Sequence, residues 1–187
     1  MRQCFVVALV VVLCMTGSST AFDGQRKGFV LGGGLGFSPE ATYSVGLDLG
    51  PFGTLTVDEN GSGFGLNLVI GGAFNEQNML VYEGNVAGWK SDILNDNISQ
   101  GFNGAAWYHY FGPLGKSAFT VAGIGAYVFQ AENYEDNDPG LGILLGGGYE
   151  FSKHWQIGGY YSFGKTSDSG VDFDHHHLNI LVSGIAF

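Results

Sequence analysis

Cysteine is nearly absent from the chain, and its placement excludes a role in the fold. Cys4 and Cys14 both lie in residues 1–21, where a basic residue, an apolar stretch and a small polar tail follow one another. This pattern predicts a secretory signal peptide that is cleaved after residue 21. A lipoprotein signal at Cys14 is disfavoured because the bulky Leu13 precedes it. The mature chain, 22–187, then has no thiol, which excludes disulfides and cysteine-ligated metals.

Basic residues are also scarce. The sequence has 7 Lys and Arg against 17 Asp and Glu, a formal net charge of −10. One of the seven is Arg2, in the predicted signal peptide, so the mature chain has six against seventeen, or −11. A surface this acidic repels phosphates, which excludes nucleic acid as an expected partner.

Long apolar runs are missing after the predicted signal peptide. No stretch there approaches the roughly 18 residues that a spanning helix needs. The 45% hydrophobic and 14% aromatic content argues against disorder, and the 33 Gly have no collagen period and need another explanation. If this chain enters a membrane, strands must cross it.

Four segments alternate large apolar residues with small or polar ones at a period of two, which predicts strands. Their large rows are Phe29, Leu31, Leu35 and Phe37; Phe64, Leu66, Leu68, Ile70 and Phe74; Leu141, Ile143, Leu145, Tyr149 and Phe151; and Trp155, Ile157, Tyr161 and Phe163. The opposite rows are too small and glycine-rich to cover a solvent surface. We therefore predict that the large rows face lipid and the small rows fill a narrow lumen with room to spare.

Aromatic residues at the strand ends are expected in the two interfacial girdles of a membrane barrel. They are Phe29, Phe37, Phe64, Phe74, Tyr110, Phe119, Phe129, Phe151, Trp155 and Phe163. Three segments, 77–89, 100–111 and 118–130, have a less regular alternation, and the last could face either way.

The connections between eight predicted strands alternate in length. The short ones are 75–77, 112–116 and 152–154, and the long ones are about 38–62, 90–99, 131–140 and 165–175. Short turns at one rim and long loops at the other are typical of an up-and-down outer-membrane barrel. A weak alternation inside the first long connection predicts an extension above the membrane. The alternative, two more spanning strands and a ten-stranded barrel, is disfavoured because Asp48 and Pro51 interrupt it.

The last residues of the chain carry no charge, end on Phe187 and place an apolar residue, Ile185, two positions earlier. They resemble the terminal strand of Gram-negative outer-membrane barrels, and residues 22–187 resemble the small eight-stranded barrels of that membrane. The resemblance implies an all-β antiparallel transmembrane barrel in the outer membrane. It also implies contact with outer-membrane lipid, recognition of the C-terminal strand by the barrel-assembly machinery, and a monomer. It does not settle activity.

A cluster of two carboxylates and three imidazoles occupies residues 172–177 and is the sharpest candidate for a metal site. In an extended chain Asp172, Asp174 and His176 share one face, whereas His175 and His177 share the other. Imidazole and carboxylate suit Zn²⁺ or Cu²⁺. The simpler interpretation, which we adopt, is a polar junction between loop and strand, since such loop ligands lack a fixed outer shell. No metal or cofactor is therefore assigned.

The residues expected to face the lumen include possible acids, bases and nucleophiles. They are Glu83, His109, Glu150, Tyr160 and Ser162. Lipid-modifying barrel enzymes bring a Ser and a His to one rim, but the strand directions place His109 and Ser162 near opposite rims. No catalytic residue is assigned for this reason.

Two of these candidates, Glu83 and Glu150, have no obvious cationic partner in the lumen-facing rows. A buried, unpaired carboxylate takes up a proton or recruits water. We therefore expect water beside both residues.

Acidic residues of the predicted long loops could bind Ca²⁺ or a cationic partner, but none has ligand-loop spacing. They are Asp58, Glu59, Asp92, Asp96, Glu132, Glu135, Asp136, Asp138, Asp168, Asp172 and Asp174. A solvated role is the simpler expectation. The sequence thus predicts a non-enzymatic barrel with a structural or surface-interaction role. A narrow channel or carrier for small apolar solutes and a lipid-modifying enzyme are the alternatives.

Overall fold

The structure is a computed structural model that describes residues 25–48, 53–93, 95–132, 138–168 and 171–187. The predicted signal peptide lies outside this part of the chain. Eight strands fill most of it: β1 Gly28–Asp48, β2 Thr54–Asn75, β3 Asn78–Lys90, β4 Asn97–Tyr110, β5 Ser117–Ala131, β6 Asp138–Ser152, β7 Trp155–Asp168 and β8 Val171–Ala186. None of the described residues forms a helix long and apolar enough to cross a membrane.

Each strand pairs antiparallel with the next, and β1 pairs with β8, so the sheet closes into a barrel. The predicted eight-stranded up-and-down barrel is confirmed. Where all eight strands are paired, closure leaves no exposed sheet edge, so the backbone groups there bond across the sheet and do not need water. The predicted extension is also present, because β1 and β2 stay paired up to Asp48 and Thr54 instead of adding two spanning strands.

The two rims differ as predicted, but the long connections are shorter than the sequence suggested. Gln77 lies in the turn between β2 and β3, and the other two short turns fall at 111–116 and 153–154. At the opposite rim the strands continue into residues that were predicted as loops, which leaves about 49–53, 91–96, 132–137 and 169–170 as connections. These segments are polar, yet they form strands, because each residue that joins the sheet gains backbone hydrogen bonds to the neighbouring strand.

The outer surface of the barrel carries a belt of large apolar side chains. Phe29, Leu35 and Phe64 of β1 and β2 expose more than half of their side-chain surface. Leu141 and Trp155 do the same in β6 and β7. An exposed apolar band of this extent would be unstable in water, so it indicates a lipid-facing surface.

The lumen is packed with large side chains, which corrects the expectation of spare room. Tyr108, Tyr127, Tyr160 and Phe102 are fully buried inside it. Three aromatic residues that were predicted for the girdles also point inward and are buried: Tyr110, Phe119 and Phe129. The alternation in β4 did not reveal this, because both of its rows contain aromatic residues. In β5 the aromatic residues share one row, but the other row is also apolar enough to face lipid.

Glycines in the lumen-facing row of β7 make space for aromatic side chains inside the barrel. A Cβ atom on Gly164 would lie 2.5 Å from the Cβ atom of Tyr127, and one on Gly158 would lie 2.9 Å from the ring of Tyr160. The small rows therefore are not empty space. They are the positions against which aromatic rings pack.

Candidate functional sites in the lumen and at the two rims

The rim with short turns, called here the turn end, is closed by Arg26, which precedes β1. Its side chain is fully buried and pairs with Glu150 of β6 at 2.7 Å. It also donates to the carbonyl oxygen of Glu76 in the β2–β3 turn. The expectation that Glu150 has no cationic partner is therefore wrong. The partner comes from outside the strands, where alternation carries no information.

Two aromatic rings and a backbone amide complete this contact, which we call the Arg26 latch. The guanidinium carbon lies 3.7 Å from the ring centroid of Tyr110 and 5.9 Å from that of Phe187. The backbone N–H of Gly115 donates to Glu150 at 2.6 Å. Phe187 is only 3% exposed. The latch thus joins the start of the barrel, two of its turns and its last residue.

In the middle of the lumen, Glu83 accepts hydrogen bonds from protein groups. The Tyr108 O–H donates at 2.6 Å, and the side-chain amides of Asn67 and Asn85 donate at 3.4 Å and 3.3 Å. Among the described residues no cation contacts Glu83. The carboxylate thus contacts three side chains from three strands and acts as a structural centre of the lumen.

The catalytic candidates are not brought together. His109 lies on the outer surface, not in the lumen as expected, and stands edge-to-face on Phe111. Ser162 lies opposite His177 in the β7–β8 register, yet its hydroxyl has no hydrogen-bond partner among the described residues. His177 contacts the hydroxyl of Tyr127 at 2.8 Å instead. Within the described residues, Ser162 is therefore not hydrogen-bonded to a base.

Tyr160 is likewise held in a structural contact. Its hydroxyl accepts a hydrogen bond from the side-chain amide of Gln156 at 3.1 Å. The oxygen of that same amide accepts from the hydroxyl of Tyr110 at 2.9 Å. These bonds fix two lumen rings to each other and leave neither hydroxyl poised beside a base.

The histidine cluster belongs to strand β8 and not to a loop junction. As expected from the alternation, His175 and His177 point into the barrel, whereas Asp174 and His176 point outward. His175 is held by Thr166 at 2.7 Å. Within the described residues no three His, Cys, Asp or Glu side chains are arranged to hold a metal ion. The side chain of Asp172 lies outside this description.

The rim opposite the turn end, called here the extended end, contains a buried carboxylate that the sequence placed in a solvated loop. Glu59 of β2 accepts from the Tyr43 hydroxyl at 2.6 Å and from the Ser91 hydroxyl at 2.8 Å and 2.7 Å. The backbone amides of Asp92 and Ile93 donate to it at 2.7 Å and 3.0 Å. This Glu59 cradle fastens the β3–β4 connection onto the extended hairpin.

The electrostatics of the cradle favour the charged form of Glu59. Burial alone would raise the pKa of this carboxyl, but the hydrogen bonds from Tyr43, Ile93, Ser91 and Asp92 outweigh it together and hold the pKa below its usual value. No basic residue is involved. Because the donors come from two segments that are distant in the sequence, the spacing of acidic residues gave no signal for this site.

The other acidic residues of the extended end divide into buried and exposed groups. Asp96 is buried and accepts from the backbone amide of Asn97 at 2.9 Å. Asp58, Asp92, Glu132, Asp138 and Asp174 are exposed, as expected for a solvated rim. Glu135 and Asp136, and the side chain of Asp168, lie outside the described part of the chain.

Above the level of Gly63, the barrel opens between β2 and β3. The last pair joining these strands is Gly63 with Trp89, whereas β2 continues to pair with β1 as far as Thr54. Residues 54–62 therefore pair on one side only within the described chain. On the other side of β1, β8 stays paired up to Phe173.

A surface cavity of about 580 Å³ lies on the outside of the barrel beside β6, β7 and β8. Leu141, Tyr161 and Phe163 line its apolar part, and Lys165, paired with Asp174 at 2.9 Å, lines its polar part. The cavity is placed where the β6–β7 register shifts between Pro139 and Gly142. It lies outside the lumen and does not form a path through the barrel.

Comparison with known proteins supports the fold. No protein-family model and no curated protein matches the chain. Among solved structures, Neisserial surface protein A aligns with a TM-score of 0.51 at 12% identity, over 84% of this chain and 96% of that one. Ail, the attachment invasion locus protein of Yersinia pestis, aligns at 0.45 and 16% identity, over 86% and 99%. The outer membrane protein OprG of Pseudomonas aeruginosa aligns at 0.45 and 16%, over 87% and 96%.

At these identities the likeness is one of fold alone. Together with the closed sheet, the alignment with Neisserial surface protein A confirms the predicted fold of small eight-stranded outer-membrane barrels. The exposed apolar belt indicates that this barrel is embedded in a membrane.

Proposed function

We propose that this protein is a non-enzymatic barrel of the outer membrane with a sealed lumen, which acts through its extended end in surface interaction or envelope structure. The observation that carries the proposal is the contrast between a filled interior and strands that continue beyond the barrel. β1 and β2 have 21 and 22 residues, whereas β3 has 13. The additional length projects past the apolar belt and serves no purpose in spanning the membrane.

The packed lumen argues against transport as the main role. An eight-stranded barrel is just wide enough for its own side chains, and here buried aromatic rings and the Glu83 hydrogen bonds occupy it. The Arg26 latch adds a charged closure at the turn end. Catalysis is disfavoured because Ser162 and His109 point to opposite faces of the barrel wall and no base contacts the serine.

A flux measurement tests the sealed lumen. The purified protein is reconstituted in lipid vesicles, and the release of trapped ions and small apolar solutes is compared with that of empty vesicles. We expect no difference. Flux through the protein would support the channel or carrier alternative and contradict the proposal.

A hairpin-shortened variant tests the role of the extended end. In this variant a two-residue turn replaces residues 44–58, so that the spanning part of β1 and β2 is retained. We expect normal outer-membrane fractionation and heat-modifiable migration but weaker adhesion of cells that carry the variant. Unchanged adhesion with correct insertion would contradict a surface role.

The proposal also includes partners. The apolar belt would contact outer-membrane lipid, the C-terminal strand would be recognised by the barrel-assembly machinery, and the folded protein would be a monomer. Sedimentation in detergent measures the last point, and replacement of Phe187 by Ala followed by membrane fractionation measures the second.

A further inference from the structure

We propose that the open edge of β2, residues 54–62, binds an extended polypeptide segment of a partner protein as an additional β-strand. This inference rests on the proposed surface role and specifies the chemistry of the partner. The edge lies at the extended end, where the barrel has opened between β2 and β3.

The backbone of this edge defines what fits it. Between Thr54 and Ser62, β2 pairs with β1, and no other described strand pairs with it. Every second residue therefore directs its N–H and C=O groups away from the sheet. An alternating row of donors and acceptors is matched along its length by another extended backbone, which is the basis of strand addition.

The side chains beside the edge add an apolar surface. Leu55 and Val57 share the inward-facing row of β2 but stand above the packed lumen, with 51% and 41% of their surface exposed. Ile93, held nearby through the Glu59 cradle, is 60% exposed. An added strand with apolar residues at alternate positions would cover this apolar surface, and its burial favours binding.

Charge argues for a basic partner and against a second copy of this chain. Asp58 lies at the centre of the edge and is exposed, as is the neighbouring Asp92. Antiparallel pairing of two such edges about their centre would place Asp58 opposite its own copy, which is unfavourable. The partner strand should therefore alternate apolar residues with Lys or Arg.

The structure around the edge holds it in a conformation that favours binding of a strand. Beyond the pair of Val45 and Val57, β8 no longer pairs with β1, so within the described chain β1 and β2 pair there only with each other. Two strands alone are marginally stable in water, and an added strand stabilises them. The Glu59 cradle braces the middle of the edge by fixing Glu59 to Tyr43 and Ser91. The edge is thus presented in an extended conformation before a partner arrives, which lowers the entropic cost of binding.

The test uses a synthetic nine-residue peptide that alternates valine with lysine, and the purified full-length barrel in detergent. Fluorescence polarisation measures the affinity, and amide hydrogen exchange maps the site. We expect added protection at residues 54–62 and no change in β5. Two further peptides carry backbone N-methyl groups, either on all valines or on all lysines, and each blocks one edge of the peptide.

One N-methylated peptide should lose at least about tenfold in affinity while the other retains it, because only one edge of the peptide pairs with β2. Equal binding or equal loss by both would overturn strand addition. Asp58→Lys should weaken binding of the unmethylated peptide by about tenfold, and Asp138→Lys, an exposed acid on β6, is the matched control. If both substitutions weakened binding equally, the peptide would be attracted by the acidic surface in general, and the proposed site would be wrong.

Two other results separate this inference from the proposed function. If the peptide does not bind but hairpin shortening still lowers adhesion, the edge inference fails and the surface role stands. If concentration-dependent dimers form and are broken by the hairpin shortening, the occupant is a second copy and the partner proposed here is wrong.

Discussion

The two ends of the barrel are each fastened by one buried charged side chain, but the fastenings join different amounts of structure. At the turn end, Arg26 contacts the β2–β3 turn, β4, β6 and the last residue. At the extended end, Glu59 contacts β1 and a single connection. From this difference we expect the stability of the whole barrel to depend more on the turn end, whereas the extended end is organised locally and can change without opening the barrel.

Among the substitutions considered, Arg26→Ala should cause the largest loss of stability. A smaller loss than that of Glu59→Gln would contradict the difference between the two ends. Arg26→Ala leaves Glu150 buried without its cation and removes the contact with Tyr110, so we expect a loss of about 3–5 kcal/mol in the free energy of unfolding. Urea unfolding in lipid vesicles measures it. The exposed neighbour provides the control, since Lys27→Ala should change stability by less than about 0.5 kcal/mol.

Substitutions of Glu83 test whether its hydrogen bonds in the middle of the lumen also stabilise the barrel. Glu83→Leu leaves the Tyr108 hydroxyl and two side-chain amides without an acceptor, so we expect a loss of about 2–3 kcal/mol in the same titration. Glu83→Gln keeps an acceptor at this position and should cost less than about 1 kcal/mol at neutral pH. Equal losses for both variants would show that packing, and not the hydrogen bonds, sets the contribution of this residue.

Substitution of two glycines by Ala distinguishes the effect of close packing in the folded barrel from the effect of chain flexibility in the unfolded state. A Cβ atom on Gly148 would overlap the carbonyl oxygen of Ile157, whereas one on Gly159 would meet nothing within 4 Å. Gly148→Ala should therefore destabilise the barrel by about 1–2 kcal/mol, and Gly159→Ala should be neutral or slightly stabilising. Thermal unfolding in detergent measures both variants. Equal effects would contradict the role of close packing at Gly148.

Glu59 should give the smallest effect on the whole barrel and a clear effect on its own surroundings. Glu59→Gln weakens the cradle, so the amides of Asp92 and Ile93 should exchange about tenfold faster, equivalent to about 1.4 kcal/mol, while global stability changes little. A global loss as large as that of Arg26→Ala would remove the distinction between the two ends.

Acid should act on the cradle in the same direction as this substitution. The folded pKa of Glu59 lies below its ordinary value, so the contribution of the carboxylate is complete above that ordinary value and is lost as the pH falls through the folded pKa. The amide resonances of Asp92 and Ile93 should therefore shift during acid titration at a pH below the ordinary range for Glu. A transition above that range would contradict the lowered pKa.

The strands with regular alternation were predictable because one face must meet lipid. Leu35, Leu66 and Leu141 could be assigned to the outside from period alone. In β4 both rows contain large rings, so a period of two does not identify the inner face, and His109 was assigned wrongly. What decides there is the space beside glycines on neighbouring strands, which depends on the cross-strand register.

The sites at the two ends were beyond sequence reasoning for a related reason. Arg26 and Glu150 are 124 residues apart, and Arg26 precedes every strand. Glu59 looks like an ordinary loop acid until the strand continues past the membrane and brings Ser91 to it. The Arg26 contact depends on closure of the barrel, and the Glu59 contact depends on how far the β1–β2 hairpin extends. The alternation in the sequence reports neither, because it describes one strand at a time.

The three tryptophans of the chain divide between the inside and the outside of the barrel. Trp107 and Trp155 lie on the lipid-facing surface, whereas Trp89 is buried at the extended end beside Tyr43. Quenching by brominated lipid should therefore report insertion through the first two. The emission of Trp89 should report the assembly of the extended end, so that insertion and this assembly can be followed in one sample by intrinsic fluorescence.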